Sequence, residues 1–276
     1  MPYHVRCALI RALSPSFSKA LQQHQPMTPI DVKRALEQHE AYTEALRSCV
    51  DEVIVMAADD QHPDCCFIED TAIAIGHDLV IARIGAASRR NESEAVYRTL
   101  QELQQRLPQL RIHRLTEPAT LDGGDVLQMG ERIFVGISQR TNREAARQLE
   151  KLFPGRVISV PVAAGLHLKS VLSAWDHRTL IVAADPAARA MAQLILEGLA
   201  SVSETPPRSI EVADPAASNV VRAGQNVLIQ QGFPDSEKTL RLLAEDSGLK
   251  IISLNMSELI KADGALTCCS ILLLEA

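Results

Sequence analysis

Asp122-Gly123-Gly124-Asp125-Val126-Leu127-Gln128-Met129-Gly130-Glu131-Arg132-Ile133-Phe134-Val135-Gly136-Ile137 reads as an acidic head, an apolar strand, a short turn and a second apolar strand. This is a β-hairpin pattern. It recurs along the chain. Glu69 to Ile75 leads through Gly76-His77-Asp78 to Leu79-Val80-Ile81-Ala82. Lys169 to Ala174 leads through Trp175 to Arg178 into Thr179-Leu180-Ile181-Val182, and Ser218 to Ala223 through Gly224-Gln225-Asn226 into Val227-Leu228-Ile229. A fifth string, Thr267 to Leu274, lacks its second strand.

One polar residue heads each string: Glu69, Asp122, His167, Ser218 and Cys268. Successive heads are 53, 45, 51 and 50 residues apart. A period of roughly 50 residues predicts a repeat architecture. Helical patterns fill the gaps. Asn91 to Gln105 carries Ala95, Leu100 and Leu103 at helical spacing, and Thr141-Asn142-Arg143-Glu144 opens a helix in capping-box style. Pro186 to Leu199 and Ser236 to Leu249 read the same way. The predicted fold is therefore α/β, built from about five hairpin-plus-helix units. Val5 to Leu13 would supply what the fifth unit lacks and close a ring.

Composition narrows the function. The chain has 276 residues, of which 46% are hydrophobic and 22% charged, enough apolar side chain for a packed core. No linker divides it, so residues 1–276 read as a single domain. A net charge of −6 gives no basic footprint for nucleic acid. No apolar run approaches the roughly 18 residues of a membrane helix, and the opening stretch from Met1 to Arg11 is too short and charged for a signal peptide. Six cysteines, four of them in the adjacent pairs Cys65-Cys66 and Cys268-Cys269, read as reduced thiols of a cytoplasmic protein. The sequence carries no expectation for oligomeric state.

In a closed ring the heads converge near one axis. A cysteine beside a histidine is a common sulfur nucleophile. Carboxylates in the same cavity would hinder it by raising the thiol pKa, unless the substrate brings positive charge. A guanidinium suits them, because its planar donors match carboxylates in bidentate fashion. Cysteine, histidine and acids together read as attack on a guanidinium carbon.

At this point a family resemblance appears. Pro63-Asp64-Cys65-Cys66-Phe67-Ile68-Glu69-Asp70, Ser88-Arg89-Arg90, Ala119 to Leu127, Val135 to Asn142, Gly165-Leu166-His167-Leu168-Lys169-Ser170 and Asp263 to Ser270 are similar to strings of the dimethylarginine dimethylaminohydrolase family. That family belongs to the guanidino-group-modifying enzymes. The strings keep their order over nearly the whole chain. The resemblance implies a five-bladed αβ propeller of pseudo-fivefold symmetry. It also implies hydrolysis of asymmetric dimethylarginine or monomethylarginine to citrulline and a methylated amine. An arginine deiminase-like hydrolase of another guanidine is the near alternative, and a catalytically silent ligand-binding protein is the alternative of another class.

The same resemblance assigns roles. Cys268 would be the nucleophile and pass through an S-alkylthiouronium; Cys269 would only pack. His167 would protonate the leaving amine and then activate water. Asp122 would orient His167 and the guanidinium. Glu69 and Asp70 would hold the guanidinium, with Asp70 the more direct contact because neighbours on a strand point to opposite faces. Arg89 and Arg140 would grip the α-carboxylate. Asp64 and the carbonyl of Ala262 would take the α-ammonium. A lid at about residues 13–30 would close over the site through Leu21. No cofactor or required metal is expected, although a Cys268 thiolate could capture inhibitory zinc. Arg90 is expected in solvent, Asp125 in turn chemistry, Trp175 over a hairpin, Asn219 without a role, and the other histidines, His39 included, on surfaces or turns.

Overall fold

The computed structural model describes residues 5–202 and 205–274. Residues 1–4, part of the stretch read against a signal peptide, lie outside the described residues, as does His4. In chain order the elements are β1 (Val5–Arg11), α1 (Val32–Arg47), β2 (Glu52–Met56), β3 (Ala72–Ile75), β4 (Asp78–Ile81), α2 (Glu92–Arg106) and β5 (Arg111–Arg114). Then come β6 (Val126–Met129), β7 (Arg132–Ile137), α3 (Arg143–Leu152), β8 (Val157–Pro161), β9 (Leu172–Ala174), β10 (Thr179–Ala183), α4 (Pro186–Ala200) and β11 (Arg208–Val212). The last are β12 (Val221–Ala223), β13 (Asn226–Gln230), α5 (Pro234–Ser247), β14 (Lys250–Leu254), α6 (Ser257–Ile260) and β15 (Ile271–Leu274).

The strands form five three-stranded sheets: β3-β4-β5, β6-β7-β8, β9-β10-β11, β12-β13-β14 and β15-β1-β2. In each, the middle strand pairs antiparallel with an inner strand and parallel with an outer one. The antiparallel pairs are the predicted hairpins. Three of them turn on a glycine in the left-handed region: Gly76, Gly130 and Gly224, at φ +58°, +55° and +58°. Each parallel pair is bridged by a helix, as a parallel crossover requires. The fifth sheet takes its inner strand from β15 and its middle strand from β1, with Leu9 opposite Ile271 and Val5 opposite Leu274. The expected five-bladed propeller is the observed fold.

The helices wedge between blades. In α2, Val96, Leu100 and Leu103 pack on Leu79 and Ile81 of their own sheet and on Leu9, Ile271 and Leu273 of the closing one. In α4, Ala188, Met191, Ala192 and Ile195 likewise pack on Leu180 and Val182, and on Leu127, Met129 and Phe134 of the blade before. Burying such a leucine or isoleucine contributes roughly 1.5–3 kcal/mol, so each seam holds its neighbours. The inner strands surround an axial cavity of about 200 Å³ whose lining includes Glu69, Lys169 and Thr267.

Several expectations need correction. The unit is hairpin, helix and a third strand. The third strands are rim strands; Arg111-Ile112-His113-Arg114 alternates too little apolar surface to read as one. Helix α1 escaped detection because its buried face mixes Ala35, Tyr42 and Leu46 with Gln38, His39 and Thr43. His39 is thus buried, not superficial. Trp175 is fully buried in the core beside Ile181 and Val227. The cap of α3 is Asn142, which accepts the Ala145 amide, while Thr141 serves elsewhere. Among the described residues no helix is long and apolar enough to cross a membrane.

Candidate active site

Each inner strand is preceded by a single 3-10 turn: residues 68–71, 123–125, 168–170, 215–218 and 267–269. The five heads therefore lie on or beside these turns, not on strand starts. This overturns the alternation argument for Glu69 and Asp70, which share the turn Ile68–Thr71. Even so, the two part company. Asp70 is 4% exposed and accepts from Arg89 Nη1 at 2.7 Å and from the Gly124 amide at 3.0 Å. Glu69 accepts from Lys169 Nζ and from Thr267 Oγ1.

Two adjoining chambers of about 180 Å³ each share His167, Cys268, Leu166, Gln23 and Asp263 in their walls. The first also meets Glu69, Gly124, Lys169, Asn219 and Thr267. The second meets Leu21, Asp64, Asp70, Arg89, Arg140 and Ala262. Nine of the ten residues singled out by the sequence thus border one connected cavity; the tenth, Asp122, stands fully buried behind His167.

Asp122 Oδ2 contacts His167 Nε2 at 3.0 Å, and its Oδ1 accepts the Gly85 amide at 2.7 Å. Thr141 Oγ1 accepts the Asp122 amide. The glycine pair lets the backbone crowd in: a Cβ on Gly124 would sit 2.6 Å from His167 Nδ1. Burial alone would lower the His167 pKa. Asp70, the Asp122 hydrogen bond and Asp125 outweigh it and lift the imidazole to about 9. Cys268 moves the other way for catalysis. Burial, then Glu69 and Asp70, push its thiol up to about 12, against smaller help from the Ala265 backbone and Lys169. At neutral pH the pair is therefore imidazolium and thiol. Burial pushes the Asp70 carboxyl up, but His167 and Arg89 more than reverse this and hold it below the ordinary range.

Around the second chamber the charges are already partnered. Arg89 is buried and gives Nε and Nη2 to Glu92 at 3.0 Å each, Nη2 also to the Phe67 carbonyl, and Nη1 to Asp70. Arg140 lies 3.9 Å from Asp122 Oδ2 through Nη1. Burial raises Asp64, whose Oδ1 accepts the Leu21 amide at 3.0 Å. Leu21 thus meets the site through its N–H. Arg90 is half-buried, and its Nε donates to the Ile84 carbonyl. Asp125 is not turn chemistry either. It is fully buried, accepts from Ser138 Oγ at 2.6 Å and from the Leu168 amide at 2.9 Å, and so ties two blades together. Among the described residues, Asp70, Asp122 and His167 bring metal-type ligand atoms within 4.8 Å of one another; Cys268, the residue expected to meet zinc, is not in that set.

The comparisons with known proteins agree with this fold. The family described as N,N dimethylarginine dimethylhydrolase, eukaryotic, matches residues 12–272. The chain belongs to the dimethylarginine dimethylaminohydrolase family. A dimethylarginine dimethylaminohydrolase of Streptomyces coelicolor is 33% identical over 274 residues, 97% of each chain. One from Pseudomonas aeruginosa is 31% identical over 87% of this chain and 89% of its own. A solved structure of the Pseudomonas aeruginosa enzyme, a cysteine-to-serine variant complexed with citrulline, superposes with a TM-score of 0.82 at 26% identity, covering 98% of this chain and 100% of that one. The N-terminal domain of ArgZ, an arginine dihydrolase of cyanobacteria, shares the fold at TM-score 0.81 and 17% identity.

The dimethylarginine dimethylaminohydrolase strings quoted above, and the residues near them or heading the fourth hairpin, include several whose part the sequence did not disclose. Glu92 stands three residues after Arg89 and is 1% exposed, a carboxylate that only a buried cation would tolerate. Lys169, two residues after His167, closes on Glu69. Asp263 carries the only positive φ of a non-glycine among the described residues, +58°, and accepts the Gln23 amide at 2.6 Å. Asn219 directly follows the fourth head.

Proposed function

We propose that this chain hydrolyses asymmetric dimethylarginine or monomethylarginine to citrulline and dimethylamine or methylamine. The observation that carries the reading is the convergence of the Cys268 thiol, the Asp122-paired imidazolium of His167 and the Asp70 carboxylate on one cavity. Cys268 Sγ attacks the central guanidinium carbon. The C–N bond to the methylated nitrogen then breaks, and His167 gives its proton to the departing amine. The S-alkylthiouronium remains. Neutral His167 next takes a proton from water, the resulting hydroxide adds to the carbon, and the C–S bond breaks to free citrulline and Cys268.

The free enzyme holds Cys268 as a thiol, and His167 is already protonated, so the thiol proton leaves to water. A guanidinium seated on Asp70 supplies the positive charge that favours the thiolate. At the other pole, Arg140 and the remaining Nη1–H of Arg89 take the α-carboxylate, and Asp64 with the Ala262 carbonyl takes the α-ammonium. Residues 13–30 act as the lid, with Leu21 and Gln23 meeting the cavity. Nucleophile, acid and electrostatics all come from side chains, so chelation should leave turnover unchanged. Zinc should inhibit by capturing the Cys268 thiolate.

Amine release on a panel of guanidines tests the reading. Methylated amine from dimethylarginine supports it, and Cys268→Ser should lose turnover. Ammonia from arginine with no methylated amine from dimethylarginine would favour the deiminase alternative. Turnover retained in Cys268→Ser would remove the nucleophile.

A further inference from the structure

The fourth blade contributes no acid, base or nucleophile to the chemistry above, yet the residue after its head reaches the site. Asn219 is 2% exposed. Its Nδ2 donates to the Lys169 carbonyl at 3.0 Å and to Thr267 Oγ1 at 3.1 Å. Its Oδ1 accepts the Thr267 amide at 3.0 Å. Both N–H donors of the amide and its carbonyl are thus engaged. Thr267 immediately precedes Cys268, and Lys169 lies two residues after His167. Thr267 Oγ1 donates its own hydrogen bond to Glu69 Oε2 at 3.0 Å, and Lys169 Nζ pairs with Glu69 Oε1. The circuit Asn219, Thr267, Glu69, Lys169 and back to Asn219 therefore closes on itself. It links four blades beside the two reacting groups.

We infer that Asn219 is a positioning residue that fixes the turn carrying Cys268 against the turn carrying His167. Only an amide fits all three contacts. An aspartate would keep the acceptor for the Thr267 amide but face the Lys169 carbonyl with an oxygen, oxygen against oxygen. An alanine would leave the Lys169 carbonyl and the Thr267 amide without this partner. The residues placed at the amino-acid pole, Asp64, Arg140 and Ala262, stand outside the circuit. Loss of Asn219 should therefore misplace sulfur relative to imidazole and leave binding of the rest of the substrate intact. Misplacement by about 1 Å can cost on the order of 100-fold in rate.

This inference rests on Cys268 being the nucleophile, and the test separates the two claims. Turnover of asymmetric dimethylarginine is measured for Asn219→Ala, Asn219→Asp, Thr267→Val, the double variant Asn219→Ala/Thr267→Val, and Cys268→Ser. Folded fraction comes from thermal melts, and thiol reactivity from iodoacetamide alkylation across pH. The expected result is a kcat per folded enzyme lowered about 10-fold or more in both Asn219 variants, with KM within about twofold. In Asn219→Asp the pH profile of alkylation should move to higher pH, because a carboxylate joins Glu69 beside the sulfur. The double variant should be no worse than its worse parent, since both break one link. A kcat per folded enzyme within about twofold of the parent overturns the inference, as do additive losses. If the Asn219 variants do not fold, Thr267→Val, an isostere that breaks the same circuit, decides alone: a parental kcat overturns the inference and a 10-fold loss with KM unchanged supports it. Turnover retained in Cys268→Ser overturns the nucleophile instead.

Discussion

A thiol surrounded by carboxylates is a poor nucleophile until something cancels them. Cys268 is pushed up to about 12 chiefly by burial, then by Glu69 and Asp70. The ultraviolet thiolate absorbance of the free protein, with Cys268→Ser as blank, should keep growing beyond pH 9. A bound, uncleavable amidine analogue of the substrate should move that titration acidward by on the order of one pH unit or more. An unchanged midpoint would refute the cation-assisted step. Gly124 sets a second limit at this scale. Its missing Cβ lets the chain approach His167, and Gly124→Ala would place a methyl 2.6 Å from Nδ1. The ring must shift. We expect kcat to fall about 10-fold or more in a folded protein. Parental kcat in that variant, measured by amine release, would show that the imidazole tolerates displacement.

The working elements are turns of three or four residues, each set just before an inner strand. The identities of the heads were legible in the sequence because the 50-residue spacing repeats. The turn geometry was not, since a single 3-10 turn leaves no periodicity. The partners were hidden for a different reason. Glu92, Lys169 and Asn219 meet their contacts 3, 100 and 48 to 50 residues away along the chain, and only the last two separations follow the repeat. Helix α1 was lost to polar residues on its buried face. One of them gives a test. Burial lowers His39 to about 4, and its Nε2 has no hydrogen-bond partner among the described residues. A group whose folded pKa is depressed this way takes up its proton more readily in the unfolded chain. Stability therefore drops as pH falls from the ordinary imidazole value near 6.5 toward 4, by up to about 3 kcal/mol. His39→Leu should flatten that part of the stability–pH curve in chemical denaturation. A slope identical to the parent's would mean that His39 ionises in the fold.

At the scale of the molecule, the ring is fastened by β15 lying antiparallel to β1. Val5 opposes Leu274, so the first and last described strands lie side by side. Joining Ala276 to Met1 leaves six residues to turn from one strand into the other, close to ordinary hairpin loops of about 2–5. A permuted chain joined there and opened after Val202, which is half exposed at 53%, should fold and turn over substrate. Circular dichroism and amine release would check it; an unfolded product would show that the fastening needs free ends. The same seam orders events during translation. The strand that follows Cys268 is made after every other described strand, and β1, made before them all, waits for that partner. A nascent chain can assemble four blades around a hollow centre while its sulfur has yet to be polymerised, so reactivity toward guanidines comes after the scaffold that will hold it.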